Sequence, residues 1–130
     1  MYKIFGTKCV DHFEGMWAFL IYDHLNQLVF ISRDRIGEKP LYYLKNKDGF
    51  FFGSETKFIR ILVNNYKEIN NKKIMQYLRY GYKSIERTNE SFFRNIFKME
   101  AGTNFIIKKD LNILRSSYWK PQINEKKISE

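Results

Sequence analysis

Four short apolar runs, separated by turn-forming residues, constrain the fold of this chain most strongly. They are Met16–Tyr22, Leu28–Ser32, Leu41–Leu44 and Phe50–Gly53. Each run is short, rich in aromatic and β-branched residues, and bounded by Gly, Asp or Asn, which is typical of strands. The first run has no polar interruption, which predicts a strand buried on both faces. The first half of the chain is therefore predicted to be an antiparallel meander.

The segment Arg33–Pro40 is charged and lies between the second and third runs. Pro40 fixes its own φ and pushes the residue before it towards an extended conformation. Gly37 permits a positive φ or a close backbone approach. Arg33 and Asp34 are placed for a charge-assisted contact that locks the loop. On the residues alone, this segment is either a rigid connector or a weak binding site.

Helices are predicted in three places. Residues 2–14 have apolar positions at helical spacing, with Gly6 as a break and Thr7 as the N-cap. A short helix capped by Ser54 continues to Leu62. A longer helix runs over 71–80, ends at a glycine, and has one apolar face. That face is formed by Ile74, Tyr77 and Leu78.

The secondary structure of the last third of the chain is predicted by weaker sequence patterns. Residues 82–90 are polar and predict a loop, and 91–98 predict a turn of helix. Residues 103–107 and 113–119 predict two strands joined by a turn. The residues after Pro121 are polar and predict a linker.

Composition narrows the class of protein. Hydrophobic residues make up 44% and aromatic residues 18%, which is enough to form a folded core. No apolar run approaches the ~20 residues of a membrane helix, and no secretory signal is recognisable at the N-terminus. A single cysteine cannot form an internal disulfide, which favours a reducing cytoplasm. The net charge of +9 is spread along the chain, so it gives little support to specific nucleic-acid binding.

Few residues are candidates for chemistry. The sequence has no Gly-rich phosphate loop and no CxxC pair, and its two histidines, His12 and His24, have no metal-ligand spacing. Cys9 lies in a predicted helix, where a small buried side chain is the favoured interpretation. The aromatic residues at 42–43 and 50–52 are expected to pack in a core rather than to stack on bases. No catalytic, substrate-binding or metal-binding residue is predicted.

Three motifs occur in a fixed order and resemble one known family. They are the stretches at 13–23, FEGMWAFLIYD, at 33–43, RDRIGEKPLYY, and at 52–57, FGSETK. The chain resembles asparagine synthase, the glutamine-hydrolysing family, in the C-terminal half of its class-II glutamine amidotransferase domain. Residues 97–103 and the pair Tyr118-Trp119 extend the resemblance to about residue 121. Glu100, Ala101 and Gly53 depart from the family pattern, which affects loop details.

The resemblance implies an α+β fold, namely part of a four-layer α-β-β-α sandwich with antiparallel sheets of the Ntn-hydrolase type. It implies that residues 1–121 form the C-terminal part of the amidotransferase domain and that 122–130 lead towards an ATP-dependent synthetase domain. The motif residues carried over are given a structural role. They are Gly15, Arg33, Asp34, Gly37, Lys39, Pro40, Tyr42, Ser54 and Glu55.

The family hydrolyses glutamine with an N-terminal cysteine whose own α-amino group is the base. This chain begins Met1-Tyr2, so the resemblance transfers no catalytic residue and implies a chain that is inactive by itself. No cofactor is expected within this chain. ATP and Mg are implied for the synthetase domain. The implied partners are the other parts of the same enzyme and a possible homodimer, with no specific nucleic acid and no membrane.

Two alternatives stay open from the sequence. One is a stand-alone basic and aromatic binding module for nucleic acid or a protein partner. The other is a regulatory subunit that completes a partner by strand pairing, since unpaired sheet edges favour association.

Overall fold

Two antiparallel sheets form the centre of the protein in the computed structural model, which describes residues 1–81 and 88–122. The first sheet has the order β1-β2-β6-β7, and the second has the order β4-β3-β5. The strands are β1 (Ala18–Asp23), β2 (Leu28–Arg33), β3 (Tyr42–Asn46), β4 (Gly49–Gly53), β5 (Phe97–Lys98), β6 (Thr103–Lys108) and β7 (Ile113–Ser117).

Helical segments accompany the sheets in the described residues. Helix α1 (Tyr2–Phe5) leads into a 3-10 helix over Gly6–His12, and α2 (Thr56–Leu62) and α3 (Asn71–Tyr80) follow the fourth strand. In the part of the chain that the structure describes, no helix is long and apolar enough to cross a membrane.

Alternation along the strands sends side chains into separate cores. In β2, Val29 and Ile31 face the core that joins the two sheets, whereas Leu28 and Phe30 face a second core. Successive side chains of a strand point to opposite faces of the sheet, which explains this division. The core between the sheets contains residues of both sheets. Its buried members are Ile31, Leu41, Tyr43, Met99, Phe105 and Ile107.

The other two cores hold the helical segments against the sheets. Cys9 and Val10 of the 3-10 helix pack with Phe30 of the first sheet. Ile59 of α2 packs with Leu44 of the second sheet. The predicted α+β class with antiparallel sheets is therefore confirmed, while the complete four-layer sandwich stays a prediction.

The predicted meander over the first half is wrong in one respect. The hairpin β1-β2 and the hairpin β3-β4 form as predicted, but they belong to different sheets. The segment between Arg33 and Tyr42 crosses from one sheet to the other. Strand β2 pairs on its far side with β6, from the end of the chain, so that edge is not open to β3. Local patterns predict hairpins but carry no signal for such a distant pairing.

The N-terminal helix is shorter than predicted. It breaks at Gly6, which has φ 56°, and Thr7 lies inside the following 3-10 helix instead of capping an α-helix. Helix α2 begins at Thr56 and its N-cap is Glu55, which has an extended backbone and makes no side-chain cap hydrogen bond. Ser54 is therefore not the cap, because the chain leaves β4 extended and turns one residue later.

Helix α3 has the predicted bounds, with an Asn70 side chain that accepts from the backbone N–H of Lys73 at 3.2 Å and Gly81 in the left-handed region at φ 70°. The buried face of the helix differs from the predicted face, because it includes Lys73 and excludes Leu78. Lys73 is 6% exposed, whereas Leu78 is 70% exposed. The helix packs through Tyr77 on Phe92, with ring centroids 5.6 Å apart, and this contact sets the buried side.

Residues 91–98 are not a turn of helix. Phe93 forms a bridge with Ile69, and β5 pairs with β3 through Tyr43 and Phe97. Residues 94–95 form a turn between these two pairings, and Ile96 is 0% exposed in the core with Leu44. Tertiary pairing has overridden a weak local preference. The predicted loop at 82–90 and the predicted linker at 122–130 lie largely outside the described residues.

Candidate functional site

The loop after β2 is organised around the carboxylate of Asp34. Its Oδ1 accepts the backbone N–H groups of Ile36 at 3.2 Å, Gly37 at 2.6 Å and Glu38 at 2.9 Å. Its Oδ2 accepts the backbone N–H of Lys39 at 3.0 Å. Asp34 is 1% exposed, so these bonds form away from bulk water. Hydrogen bonds to an ionised acceptor are stronger than neutral ones, so the carboxylate fixes the course of the loop.

The guanidinium of Arg33 holds the carbonyl groups of the same loop. Its Nε donates to the carbonyl oxygen of Lys39 at 2.7 Å, and its Nη2 donates to that of Gly37. Its Nη1 donates to the carbonyl oxygen of Met99, which precedes β6. The guanidinium of Arg33 and the carboxylate of Asp34 therefore both form charge-assisted hydrogen bonds to the backbone. The cation binds acceptors of the loop and the anion binds donors, which is the pairing their chemistry requires.

Gly37 must be a glycine for two reasons. Its φ is 74°, in the left-handed region that favours glycine. A Cβ at this position would also lie 3.0 Å from the Cζ and Nη2 atoms of Arg33 and 3.1 Å from the Cβ of Ala101. The loop can close over the guanidinium only because this side chain is absent.

Contacts from distant parts of the chain fix the loop to the first sheet. The backbone N–H of Asp34 donates to the carbonyl of Trp17 at 2.9 Å, and its carbonyl accepts the N–H of Gly102 at 2.8 Å. The hydroxyl of Tyr118 donates to the carbonyl of Arg33 at 2.7 Å. The loop is thus tied to β1 and to the segments that flank β6 and β7.

Burial and charge set the ionisation of the two titratable side chains nearest the loop's centre. Burial raises the pKa of the Asp34 carboxyl, but the backbone hydrogen bonds from 36–39 outweigh it, so this pKa lies below its usual value. Burial, followed by the negative charge of Asp34, raises the pKa of Tyr118 to about 12. The carboxylate therefore stays ionised and the phenol stays neutral at neutral pH, as their hydrogen bonds require.

The motif residues predicted from the sequence fall into two groups. Arg33, Asp34, Gly37 and the backbone of Lys39 meet in one place, and the exposed Pro40 follows directly. The other members are elsewhere. Gly15 is exposed before β1 at φ 90°.

Three motif residues lie at the second sheet. Tyr42 packs in the core formed with Ile59 of α2. Ser54 is exposed, and Glu55 forms an ion pair with Lys57 at 3.0 Å. Tyr42 therefore contributes to the packing of α2 on the second sheet, whereas Ser54 and Glu55 lie at the exposed start of α2.

Four contact residues of the loop were not predicted as site residues, namely Trp17, Met99, Gly102 and Tyr118. Gly102 has φ 60°, and a Cβ there would lie 2.5 Å from the carbonyl oxygen of Trp119. A glycine before a strand is a detectable signal for such a close approach. The Met99 contact uses only a backbone carbonyl, so no side-chain pattern reveals it.

The residues considered for chemistry do not assemble into a reactive site. Cys9 is 0% exposed in the core with Phe30, and burial raises the pKa of its thiol. His12 and His24 are exposed. The ring of His12 packs on that of Phe5, with ring centroids 4.2 Å apart. Within residues 1–81 and 88–122, no group of three or more His, Cys, Asp or Glu side chains is placed to hold a metal ion.

The two antiparallel sheets with their flanking helices define a protein of the α+β class. Residues 1–119 match the family model described as a glutamine amidotransferase domain, and the chain belongs to this family.

Three of its relatives are glutamine-hydrolysing asparagine synthetases by name. One from Methanocaldococcus jannaschii is 36% identical over 138 positions, covering 100% of this chain and 26% of the relative. Asparagine synthetase 1 of Bacillus subtilis is 29% identical over 119 positions, covering 92% of this chain and 18% of the relative. Asparagine synthetase 3 of that organism is 33% identical over 112 positions, covering 85% of this chain and 18% of the relative. The chain spans about a quarter or less of these relatives.

Proposed function

We propose that this chain is the C-terminal part of the class-II glutamine amidotransferase domain of a glutamine-hydrolysing asparagine synthetase located in the cytoplasm. The observation that carries the proposal is the family match over residues 1–119. The names of the relatives support asparagine as the product and glutamine as the source of nitrogen. ATP and Mg would act in a synthetase domain outside this chain.

The nucleophile of glutamine hydrolysis would come from outside this chain. An Ntn-type nucleophile needs a free α-amino group beside its thiol. Cys9 has neither access nor a free amine, because it is fully buried inside a 3-10 helix. Its raised thiol pKa also lowers the population of the reactive thiolate.

The proposed role of the Arg33–Pro40 loop is structural. Both charged side chains at its start bind backbone groups, and Tyr118 and Gly102 attach it to the first sheet. It would hold the two sheets in register so that residues supplied by the rest of the domain can meet. The same role extends to Gly15, Tyr42, Ser54 and Glu55 as residues that shape the strand and helix ends.

The binding-module alternative has lost its main support. Tyr43 is 8% exposed and stacks on Phe50 with ring centroids 5.6 Å apart. Phe50 and Phe52 pack against the core between the sheets. Tyr43 therefore has little exposed ring surface on which a base can stack.

A chimera tests the proposal. The matched stretch of the Methanocaldococcus jannaschii relative is replaced by residues 1–119 of this chain. We expect the chimera to form asparagine with either glutamine or free ammonia as nitrogen source. Synthesis from ammonia alone would show a working synthetase without a working amidotransferase domain, and this outcome would contradict the proposal. The isolated chain should release no ammonia from glutamine above the buffer blank; robust release would contradict the external nucleophile.

A further inference from the structure

A cleft lies between β7 of the first sheet and β5 of the second, and Arg115 of β7 lines it. The cleft has two adjoining parts with volumes of about 380 Å³ and about 110 Å³, and Tyr43, Asn89 and Arg115 line both parts. One water molecule needs only ~10–15 Å³ of such space. This Arg115 cleft is therefore large enough for a small organic molecule.

Aromatic rings hold the guanidinium of Arg115 at the cleft. Its Cζ lies 5.0 Å from the ring centroid of Phe105, its cross-strand partner, and 5.6 Å from that of Tyr43. These two rings are buried and pack edge to face, with centroids 5.3 Å apart. The ring faces attract the cation and do not occupy its N–H donors. Because Arg115 forms no ion pair among the described residues, its donors are placed to bind a carboxylate.

A carboxylate, that of Glu100, lines the same cleft from the segment that follows β5. Its Oε1 accepts a hydrogen bond from the side-chain amide of Asn89 at 2.6 Å. The carbonyl of Asn89 in turn accepts the backbone N–H of Lys98 at 2.7 Å. Burial raises the pKa of the Tyr43 hydroxyl, while the charge of Arg115 lowers this pKa and that of Glu100 raises it. The hydroxyl therefore lies within electrostatic range of both charges.

The charges that line the cleft favour a ligand that carries both signs. Besides Arg115 and Glu100, the lining includes Lys45, Lys98 and Glu90. Among the described residues, three cations and two carboxylates thus face one cleft. A polyanion would meet the carboxylates and a polycation would meet the cations, and such like-charge contacts are costly. A molecule with one carboxylate and one ammonium group matches both.

We propose that the Arg115 cleft binds a free α-amino acid, with the ligand carboxylate on the guanidinium of Arg115 and the ligand ammonium group on the carboxylate of Glu100. Arginine binds a carboxylate through two parallel N–H donors, and hydrogen bonds between ionised groups are the stronger ones. The larger part of the cleft would take the side chain of the ligand, which can pack on Phe97. The inference does not rest on the proposed function, because these cleft residues are not the ones that bind the Arg33–Pro40 loop.

A bound amino acid would nevertheless stabilise the attachment of that loop. Met99 and Gly102 lie close to Glu100 in the chain, and both bind the loop through backbone groups. A ligand that joins Glu100 to β7 therefore holds the segment to which the loop is attached. Since a ligand that binds only the folded state stabilises it by mass action, the temperature of unfolding should rise with ligand concentration.

An NMR titration of the isolated chain tests the site. Glycine, L-asparagine and L-glutamine are added separately, and the amide resonances of residues 100, 105 and 115 are followed. We expect saturable shifts at these residues with a Kd on the order of 1 mM or below for at least one amino acid. The matched probes are its N-acetyl derivative, which lacks the ammonium group, and its α-carboxamide, which lacks the carboxylate. Both should bind at least about 10-fold more weakly, because each loses one charge-assisted contact.

Substitutions that remove one charge at a time provide an independent measurement. Glu100→Gln keeps an acceptor for the Asn89 amide and loses the negative charge, and Arg115→Gln loses the cation. Both residues are exposed, so the fold should be retained, and each substitution should weaken binding at least about 10-fold. Arg115→Lys keeps the charge without the planar fork and should give an intermediate Kd. Lys109→Gln, at an exposed position between β6 and β7, is the matched control and should leave the Kd unchanged.

Several results would overturn the inference. One is the absence of a saturable shift at residues 100, 105 and 115 with all three amino acids up to about 20 mM. Another is equal affinity for the N-acetyl derivative, which would identify a site for simple carboxylates. A third is an unchanged Kd in Glu100→Gln. The titration requires no glutamine hydrolysis, so its failure would leave the proposed function intact, and an inactive chimera would leave the binding result intact.

Discussion

The Oδ2 atom of Asp34 accepts the backbone N–H of Lys39 at 3.0 Å, which closes a loop of five residues on one buried carboxylate. The Nε of Arg33 donates to the carbonyl oxygen of Lys39 at 2.7 Å, so Lys39, like Gly37, binds both charged side chains through its backbone. Its own side chain is exposed. Lys39 thus contributes to the loop through backbone atoms, and Pro40 follows it where the chain turns into β3.

Removing the carboxylate should destabilise the protein strongly. Asp34→Ala leaves the N–H groups of residues 36–39 without their acceptor, and we expect a loss of at least about 3 kcal/mol in the free energy of unfolding. Urea denaturation measures it. Asp48→Ala in the exposed β3-β4 turn is the matched control and should cost less than about 0.5 kcal/mol. A cost below about 1 kcal/mol for Asp34→Ala would show that the loop does not depend on the carboxylate.

The same carboxylate should make stability depend on pH in the acid range. The pKa of Asp34 is lower in the folded protein than the unfolded value of about 3.9, so its contribution is fully present above that value. It is lost as pH falls through the folded pKa. The difference in unfolding free energy between the unsubstituted protein and Asp34→Asn should be constant above about pH 5 and shrink below about pH 4. Urea denaturation at intervals from acid to neutral pH would reveal a flat difference if Asp34 is not responsible.

Alanine substitutions at two glycines should distinguish the cost of backbone strain from the cost of steric overlap. Gly37 and Gly15 both have positive φ, 74° and 90°, but only at Gly37 does a Cβ meet other atoms within 4 Å. Gly15→Ala therefore reports strain alone, about 1 kcal/mol. Gly37→Ala should cost about 1–3 kcal/mol more, because the methyl group displaces the Arg33 guanidinium from its carbonyl partners. Equal costs in thermal or urea denaturation would mean that Arg33 moves without penalty.

Cys9 should be unreactive in the folded protein. Its thiol is fully buried and its pKa is raised by burial, so alkylation requires local opening. We expect iodoacetamide to label it at least about 100-fold more slowly in buffer than in urea. The matched control is Lys8→Cys in a Cys9→Ser background, which places a thiol one position away on the exposed side of the 3-10 helix. Labelling of both thiols at the same rate would contradict the buried position.

The sequence by itself determined the local elements with the clearest periodicity. The helix Asn71–Tyr80 has the predicted bounds, because an Asn cap, helical spacing and Gly81 act within one segment. The β1-β2 and β3-β4 hairpins follow in the same way from short apolar runs that are bounded by turn-forming residues. The Arg33–Pro40 block also stands out in the sequence, because its charges lie between two apolar strands.

The tertiary structure decided which elements meet. No local signal separates the two hairpins into different sheets, since that depends on β6 pairing with β2 more than 70 residues away. The same holds for Ile96, which is buried against Leu44, and for Tyr118, whose hydroxyl donates to the carbonyl of Arg33, 85 residues away in the sequence. Hydrophobic alternation specifies which side of a strand is buried, but it does not specify the element against which that side packs. The Arg33–Pro40 loop combines local contacts with contacts to distant parts of the chain. Its charged residues can therefore be identified from the sequence, but the backbone groups that they bind cannot.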